Sequence, residues 1–454
     1  MITSISPTNG SVLAEYDETS AADVQRHIDK AAALQRQWGQ TDISERAVPM
    51  SKMADLLESH RDELALMMTD EMGKPLAQSR AEVDKCAWVC RHYAENTERI
   101  LRPENIDADR TKSYVAYRPL GVVLAVMPWN FPLWQVYRFL APALMAGNGG
   151  LLKHASNVTG SALWIDRLAV EAGFPDGLFR TLVLPSSRVD EVLEHPEVVA
   201  ATLTGSDPAG RAVAQKAGSL LKKTVLELGG SDPYVVLADA DLEQAAATCS
   251  TSRLINGGQS CIAAKRFIVE APVVEQFTEL MAAGLEQAVM GDPRDESTTL
   301  GPMARVDLRD ELHDQVERSV AAGARLVMGG KVPDGPGAFY PPTLLADVTE
   351  GMAAYHEETF GPVAAVISAK DVDDAVRIAN DTEFGLGAAV FTTDLDKGEE
   401  IARDHLQAGA CFVNAFVASD PRLPFGGIKM SGYGRELSDI GMREFLNAKT
   451  VVVA

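Results

Sequence analysis

The sequence predicts an α/β protein built on parallel, doubly wound sheets. From residue 112 onward, short β-branched runs alternate with helical segments, as in Val122–Val126 before 133–146 and Gly150–Lys153 before 159–172. This alternation is typical of parallel strands that are joined by helices. The length of 454 residues suits two or three domains with a large buried core.

The first hundred residues predict helices. Ser20 and Asp23 form a candidate capping box before apolar residues at helical spacing. Further helices are predicted over Ile43–Leu56, Glu58–Glu71 and Ala77–Arg99. Cys86 and Cys90 lie four residues apart on the last of these, where a core-facing stripe is favoured over a metal-binding pair.

The strand-like runs continue to the end of the chain. They are Arg180–Leu184, Val198–Leu203, Lys223–Glu227, Pro233–Leu237, Arg266–Glu270, Leu326–Met328, Val363–Ser368, Ala388–Phe391 and Cys411–Asn414. Those beyond residue 240 predict a second α/β unit. The terminal run Lys449–Val453 needs a sheet to join, and an element of another subunit is one candidate partner.

Composition excludes several classes of function. The net charge of −22, from 42 basic and 64 acidic side chains, disfavours binding to nucleic acid or anionic membranes. The most apolar stretch, Gly121–Leu133, is interrupted by prolines and is too short to span a bilayer. The N-terminus lacks a secretory signal pattern, and five scattered cysteines predict reduced thiols in the cytosol.

Cys261 is the candidate nucleophile. It follows Asn256-Gly-Gly-Gln-Ser260, and paired glycines allow tight backbone packing with amide groups close to the sulfur. Such a setting can lower a thiol pKa and provide an oxyanion donor. The alternative is a buried structural cysteine.

Two strand ends are candidate site elements. Glu227 ends the apolar run Lys223–Glu227 before a glycine pair, where partial burial would raise its pKa toward the range of a general base. The alternative is a solvated strand-end glutamate. Thr204-Gly205-Ser206 ends another strand and opens a helix, which suits either an anion site or a simple N-cap.

Two loops have an unusual amino-acid composition. Pro128-Trp129-Asn130-Phe131-Pro132 forms a rigid strand-to-helix corner, and the Asn130 amide could donate to a developing oxyanion. Pro424–Glu436 is rich in glycine, and an ordinary loop is its alternative interpretation.

Together these motifs resemble the aldehyde dehydrogenase superfamily. The matching segments, in order, are PWNFP at 128–132, Lys153, TGS at 204–206, ELGG at 227–230, GQSC at 258–261, EETFGPV at 357–363 and PFGGIKMSGYGRE at 424–436. They extend over nearly the whole chain. The resemblance implies an atypical Rossmann cofactor domain without GxGxxG, an α/β catalytic domain and a small β oligomerisation element.

The resemblance implies a role for each matching residue. Cys261 would attack the aldehyde, Asn130 would donate to the oxyanion, and Glu227 would activate the water that hydrolyses a thioester. The residues implied in cofactor binding are Trp129, Asn130, Lys153, Ser156, Gly205, Ser206, Leu228, Glu358 and Phe360. No metal is implied.

The cofactor implied is NADP, with NAD weaker. NAD-preferring relatives usually carry an acidic residue three positions after the lysine, and here Ser156 holds that position. Without this carboxylate, a 2′-phosphate is not repelled, and Lys153 and Ser156 can donate to it.

The substrate implied is succinate semialdehyde. Arg138, eight residues after Asn130, is similar to the arginine that binds the distal carboxylate in succinate-semialdehyde dehydrogenases, although a salt-bridged helix residue is the alternative. Trp134, Ser260 and Ser419 complete the implied substrate site. A second arginine found in some relatives is replaced by Ile255, and Arg253 is out of register.

The expected domains follow the same resemblance. Residues 1–100 and 120–226 would bind the cofactor, 227–430 would form the catalytic domain, and 101–119 with 431–454 would bridge subunits of a homodimer or homotetramer. Alternative functions are oxidation of glutarate semialdehyde or a medium-chain aldehyde, acyl transfer to coenzyme A, or a binding protein that has lost the chemistry.

Overall fold

The computed structural model describes all 454 residues. Fifteen α-helices are present, with bounds α1 Ala21–Trp38, α2 Ile43–Ser59, α3 Arg61–Met72, α4 Leu76–Ile100, α5 Trp134–Met145, α6 Thr159–Ala172, α7 Val189–Glu194, α8 Asp207–Ser219, α9 Leu242–Leu254, α10 Val274–Leu285, α11 Val306–Ala321, α12 Ala353–His356, α13 Val372–Asn380, α14 Leu395–Glu400 and α15 Ser438–Arg443. No helix combines the length and apolar character that a membrane span requires.

Eighteen strands accompany the helices. Their bounds are β1 Ile2–Ile5, β2 Val12–Tyr16, β3 Glu104–Asn105, β4 Lys112–Pro119, β5 Val122–Met127, β6 Gly149–His154, β7 Phe179–Thr181, β8 Val198–Thr204, β9 Lys223–Glu227, β10 Pro233–Val236, β11 Arg266–Glu270, β12 Arg325–Met328, β13 Thr343–Ala346, β14 Val363–Ala369, β15 Gly387–Phe391, β16 Ala410–Val413, β17 Gly432–Tyr433 and β18 Leu446–Val453. They form four sheets.

The first large sheet has six strands in the order β17-β9-β8-β5-β6-β7. Strands β5 to β9 are parallel, and only β17 runs antiparallel, against the end of β9 at Glu227. The apolar runs of β5 and β8 are almost fully buried between helices, as expected for strands covered on both faces. Trp129, Ser206 and Leu228 therefore follow neighbouring strands at one edge of this sheet.

The second large sheet has seven strands in the order β12-β13-β14-β11-β10-β15-β16, parallel except for β12. It carries α9 and the segment with Cys261 between β10 and β11. The two large sheets confirm the predicted doubly wound α/β class. Strands β9 and β11 have the predicted bounds, whereas β7 is shorter than predicted and begins one residue earlier.

Two features of the smaller sheets differ from the sequence-based expectations. The N-terminus forms a β1–β2 hairpin before the first helix, rather than helix alone. The terminal strand β18 pairs antiparallel with β4 of the same chain over eight residues, so it does not require another subunit to join a sheet. Since the order is β18-β4-β3, its outer edge stays open.

Helices α4 and α5 position one wall of the site. Cys86 and Cys90 of α4 face the hydrophobic core as predicted, and neither has exposed surface. On the same helix, the Glu82 carboxylate accepts hydrogen bonds from the backbone N–H groups of Leu133 and Trp134, both at 2.9 Å. It thereby satisfies the free donors at the start of α5. This contact joins the start of α5 to α4.

Candidate active site

Cys261 lies in a loop that the preceding glycines make possible. Asn256, Gly257 and Gly258 all have positive φ angles of 55°, 61° and 74°, which turn the chain sharply after α9. A Cβ atom at Gly258 would overlap the carbonyl group of Gly361. Glycine is therefore required at this position both for backbone conformation and for space.

Two fully buried cations hold this loop from behind. Arg253 donates from Nη2 to the Gly258 carbonyl at 2.6 Å and from Nη1 to that of Val363 at 3.2 Å. Lys265 Nζ donates to three carbonyl oxygens of the loop at 2.8–3.2 Å, those of Ser260, Cys261 and Ala263. Arg253 thus supports the loop backbone. Unlike Ile255, it does not line the cavity next to Cys261 that is described below.

The thiol of Cys261 is protonated at neutral pH in this environment. Burial raises its pKa to about 12, and the positive charges of Arg138 and Lys265 oppose this shift only in part. The expectation that the glycine-rich setting lowers the pKa is therefore wrong for the protein without bound ligands. The thiolate must form during binding or reaction, by proton transfer to a base.

Asn130 lies against the loop of Cys261. Its Nδ2 donates to the Gln259 carbonyl at 3.1 Å, and its own backbone carbonyl accepts a hydrogen bond from Asn256 Nδ2 at 2.7 Å. Its Oδ1 is buried without a partner. The amide is fixed by the loop, and Nδ2 keeps a second hydrogen for a further acceptor.

Glu227 is almost fully buried at the end of β9. Neither carboxylate oxygen has a hydrogen-bond partner. Burial and the nearby Glu436 carboxylate raise its pKa well above the ordinary value. A raised pKa suits a group that takes up a proton during a reaction, and the unpartnered oxygens are free to bind water.

Two cavities meet at Cys261. The first has a volume of about 260 Å³ and the second about 540 Å³, and Cys261 and Gln135 are the residues that line both. The three predicted catalytic residues, Asn130, Glu227 and Cys261, all line the second cavity. A sulfur between two cavities can contact a small molecule from one side and a second ligand from the other.

The second cavity contains most of the predicted cofactor residues. Seven of the nine line it, namely Trp129, Asn130, Gly205, Ser206, Leu228, Glu358 and Phe360. Ser206 is the N-cap of the 13-residue helix α8, so backbone N–H groups point toward the cavity. The rings of Trp129 and Phe360 pack edge to face at 5.7 Å.

The carboxylate of Glu358 is held at the wall of the second cavity. It accepts a hydrogen bond from the Gly230 N–H at 3.1 Å and forms an ion pair with Lys265 at 3.3 Å. Lys265 therefore links the loop of Cys261 to Glu358. The two contacts leave the other carboxylate oxygen, Oε2, for a ligand hydroxyl.

Lys153 and Ser156 lie outside the residues that line the second cavity. Lys153 is in β6, beside Val126 of β5, and its ammonium makes no hydrogen bond or ion pair within the chain. Burial lowers its pKa. Ser156 is exposed and lies two residues after the end of β6. A buried cation without a partner and a nearby hydroxyl fit an anionic group such as a 2′-phosphate.

All four predicted substrate residues, Trp134, Arg138, Ser260 and Ser419, line the first cavity. Arg138 is almost fully buried and forms an ion pair through Nε with Glu436. Its Nη2 contacts Thr204 Oγ1 at 3.3 Å, and its guanidinium lies 4.6 Å from the Phe425 ring centre. Arg138 is thus both a cavity residue and a salt-bridged residue, so both sequence-based interpretations describe part of its setting.

A second basic group, Lys85 of α4, lines the same cavity. Its ammonium donates to Ser419 Oγ at 2.8 Å and lies 4.4 Å from the Trp134 ring centre. A third cation, Lys74, is paired with Glu82. Lys85 has no carboxylate partner.

Comparison with known proteins agrees with this arrangement. The sequence profile of the aldehyde dehydrogenase family matches residues 1–451. The chain belongs to the aldehyde dehydrogenase family. As an aldehyde dehydrogenase, it has the fold that the sequence motifs imply.

Several similar proteins are named for the same activity. Succinate-semialdehyde dehydrogenase [NADP(+)] of Mycobacterium avium is 50% identical over 454 residues, which cover 99% of this chain and 96% of that protein. A probable succinate-semialdehyde dehydrogenase [NADP(+)] of Synechocystis is 48% identical over the full length of both chains. The crystal structure of succinic semialdehyde dehydrogenase from Streptococcus pyogenes with NADP+ superposes with a TM-score of 0.98 at 36% identity, covering all of both chains.

Sequence reasoning missed three residues of this aldehyde dehydrogenase site. Gln135 lines both cavities, and its buried Oε1 has no partner. Glu436 pairs with Arg138 and raises the pKa of Glu227. Lys85 lies near Ser419, which is distant in sequence. Glu436 lies inside a recognised motif, so its identity was a usable signal, whereas Lys85 has no local motif.

Proposed function

We propose that this aldehyde dehydrogenase oxidises succinate semialdehyde to succinate with NADP. The observation that carries the proposal is the cavity of about 260 Å³ that ends at Cys261 and is lined by the cations Arg138 and Lys85. This volume lies below the about 300–1,000 Å³ of sites for drug-sized ligands, which favours a small substrate. The activities for which the similar proteins are named support the same substrate and cofactor.

Cys261 is the nucleophile in this proposal. Its thiolate attacks the aldehyde carbon and forms a C–S bond, which gives a thiohemiacetal with a negative oxygen. The second hydrogen of Asn130 Nδ2 and the backbone N–H of Cys261 donate to that oxygen. Because burial raises the pKa of Cys261 to about 12, its proton passes to solvent water as the C–S bond forms, and Glu227 acts only in the later hydrolysis step.

When bound, the nicotinamide cofactor would supply the hydride acceptor for the thiohemiacetal carbon, and Cys261 would then hold a thioester. The residues of the second cavity fit its binding. The helix start at Ser206 suits the pyrophosphate, and the open oxygen of Glu358 suits a ribose hydroxyl. Cys261 lines this cavity as well as the substrate cavity, so ligands in both can reach the same carbon.

Glu227 then activates water against the thioester. Its buried carboxylate without partners takes a proton from the water, the C–S bond breaks, and the products are a carboxylate and the Cys261 thiol. The raised pKa of Glu227 makes it a stronger base than an exposed glutamate. Hydrolysis to a carboxylate makes the reaction irreversible and distinguishes it from acyl transfer to coenzyme A.

The preference for NADP rests on Lys153 and Ser156. Lys153 is a buried cation without a carboxylate partner, and Ser156 replaces the acidic residue that would repel a 2′-phosphate. NAD is expected to bind more weakly but still to serve as a cofactor, because the other proposed cofactor contacts do not involve the 2′-phosphate.

The preference for a carboxylated aldehyde rests on the cations and hydroxyl of the first cavity. Arg138 shares its charge with Glu436, so it orients a carboxylate less strongly than an unpaired arginine. Ser419 and Ser260 add hydroxyl groups to the same cavity, and Trp134 covers it. Glutarate semialdehyde, one carbon longer, is the alternative substrate.

The domain division and assembly belong to the same proposal. The six-stranded sheet supports a cofactor domain over residues 1–100 and 120–226, and the seven-stranded sheet supports a catalytic domain over 227–430. The open edge of β18 supports a homodimer or homotetramer formed through 101–119 and 431–454. Five unpaired cysteines support a cytosolic location.

A kinetic panel tests the proposed function. The purified protein is assayed with succinate semialdehyde, glutarate semialdehyde and butanal, each with NADP and with NAD. The expected result is the highest kcat/KM for succinate semialdehyde with NADP, with the neutral aldehyde at least about tenfold lower because it leaves a buried cation unpaired. A higher kcat/KM for butanal, or for NAD, would contradict the proposal.

A further inference from the structure

The charges around the first cavity do not balance. Three cations line it, Lys74, Lys85 and Arg138. Lys74 is paired with Glu82 and Arg138 with Glu436, and all four of these side chains are almost fully buried. One positive charge, that of Lys85, is left without a compensating carboxylate.

The environment of Lys85 is built for an anionic ligand. The ammonium has three hydrogens, and only one is used within the chain, toward Ser419 Oγ at 2.8 Å. The Trp134 ring covers one side of the group, with its centre 4.4 Å from Nζ. A half-buried ammonium with unused donors is unfavourable by itself, because burial disfavours the charged form.

We propose that Lys85, together with Ser419, is the main binding site for the distal carboxylate of the substrate. The carboxylate takes the two unused hydrogens of the Lys85 ammonium, and the Ser419 hydroxyl is free to donate its own hydrogen to the same group. Arg138 then acts as a further cation of the same cavity, and Glu436 already partly neutralises it. Lys85 thus supplies the second cation that Ile255 does not.

The contact between α4 and α5 places Trp134 beside Lys85. Glu82, one turn earlier on α4, caps the start of α5 and places Trp134 over the Lys85 ammonium. Residues three apart on a helix share one face. The same face of α4 therefore fixes α5 through Glu82 and presents a cation to the cavity through Lys85.

The electrostatics give this assignment a pH dependence. Burial and the charge of Arg138 lower the pKa of Lys85 to about 8, while Cys86, Glu82 and Asp420 oppose the shift. Glu82 is held by Lys74, and Asp420 by Arg422. A lowered pKa means that the ammonium is charged below about pH 8 and loses its charge above it, so the free enzyme loses affinity for a carboxylate as pH rises.

The inference rests on the proposed function, and one experiment separates the two. The ratio of kcat/KM for succinate semialdehyde to that for butanal is measured for wild type, Lys85→Met and Lys85→Arg. Lys52→Met, which removes an exposed lysine that donates to the Glu171 carbonyl, is the matched control. Taking the ratio cancels changes in cofactor binding and in the chemistry at Cys261.

The expected result is a fall of about 10- to 100-fold in this ratio for Lys85→Met, carried mainly by KM, because a charge-assisted contact is lost. Lys85→Arg should recover much of it, and Lys52→Met should match wild type. A ratio in Lys85→Met within about threefold of wild type would overturn the role of Lys85. A wild-type ratio near one would instead overturn the proposed function.

The wild-type protein provides a test that needs no variant. The same ratio, measured from about pH 6 to about pH 9.5, should fall as pH rises through about 8, since kcat/KM reports the ionisation of the free enzyme. In Lys85→Arg the ratio should stay level over this range because arginine remains charged. A level wild-type ratio would contradict the proposal even if Lys85→Met failed to fold.

Discussion

Arg138 and Glu436 form a buried ion pair behind the substrate cavity, with side-chain exposures of 2% and 5%. The pair couples two functions, since Arg138 lines the cavity and Glu436 raises the pKa of Glu227. The glycine-rich C-terminal motif therefore contributes a charge that acts on both the proposed substrate anchor and the proposed base.

Replacement of Glu436 by glutamine should both destabilise the protein and change its pH profile. Removing one partner leaves Arg138 buried with an uncompensated charge, which costs about 3–5 kcal/mol in such pairs. Chemical denaturation measures this loss. Asp84→Asn, which breaks the exposed pair with Arg61, is the control and should cost at most about 1 kcal/mol.

In Glu436→Gln, the pH profile of thioester hydrolysis should shift toward lower pH. Glu227 acts as a base only when deprotonated, and the Glu436 carboxylate raises its pKa. Without that negative charge the pKa of Glu227 falls, so the acidic limb of the pH–kcat profile moves to lower pH. An acidic limb that stays in place in Glu436→Gln would contradict this coupling.

The loop of Cys261 should not tolerate a side chain at Gly258. Gly258→Ala places a Cβ against the Gly361 carbonyl at a positive φ of 74°, so the loop must move. We expect kcat/KM to fall by at least about 100-fold, because small displacements of a nucleophile have effects of this size. The control is Gly218→Ala on α8, where the added Cβ meets no atom within 4 Å; it should keep full activity.

Alkylation of Cys261 by iodoacetamide should accelerate steadily with pH. Burial raises the thiol pKa to about 12, so the reactive thiolate increases about tenfold for each pH unit below that value. The rate is followed by mass spectrometry of the Cys261 peptide between about pH 7 and about pH 9. A rate that levels off within this range would show a thiol with a lower pKa.

Cofactor choice should respond to charge at position 156. In Ser156→Glu the new carboxylate repels a 2′-phosphate and can accept hydrogen bonds from ribose hydroxyls, so the ratio of kcat/KM with NADP to that with NAD should fall by at least about tenfold. Ser219→Glu adds the same charge at the opposite end of α8 from Ser206, about 20 Å away. An equal change in both variants would mean that the effect comes from net charge alone.

The bounds of several strands were the most predictable part of this fold. Lys223–Glu227 and Arg266–Glu270 have the predicted bounds because each is a short apolar run with clear ends. The β1–β2 hairpin was missed because β2 is largely exposed and lacks an apolar face long enough to be recognised. The pairing of β18 with β4 depends on register between distant segments, which no local pattern encodes.

Long-range charge contacts were the unpredictable part of the site. Lys85 is on α4, close in sequence to the exposed residues Asp84 and Trp88. Its local sequence therefore resembles that of a lysine on the solvated face of a helix. Only the packing of α4 against α5 and the loop of Ser419 brings it into a cavity. The pairing of Arg138 with Glu436 was likewise not predictable from local patterns, because the two residues are far apart in sequence.

The most direct test of the proposed chemistry is to trap the covalent intermediate. Glu227→Gln is mixed with succinate semialdehyde and NADP, quenched in acid, and its peptides are analysed by mass spectrometry. Because Glu227 is proposed to act on water and not on the hydride step, one equivalent of NADPH should form rapidly, and the peptide containing Cys261 should carry one succinyl group. NADPH formation with an unmodified Cys261, or a succinyl group on another residue, would contradict the account.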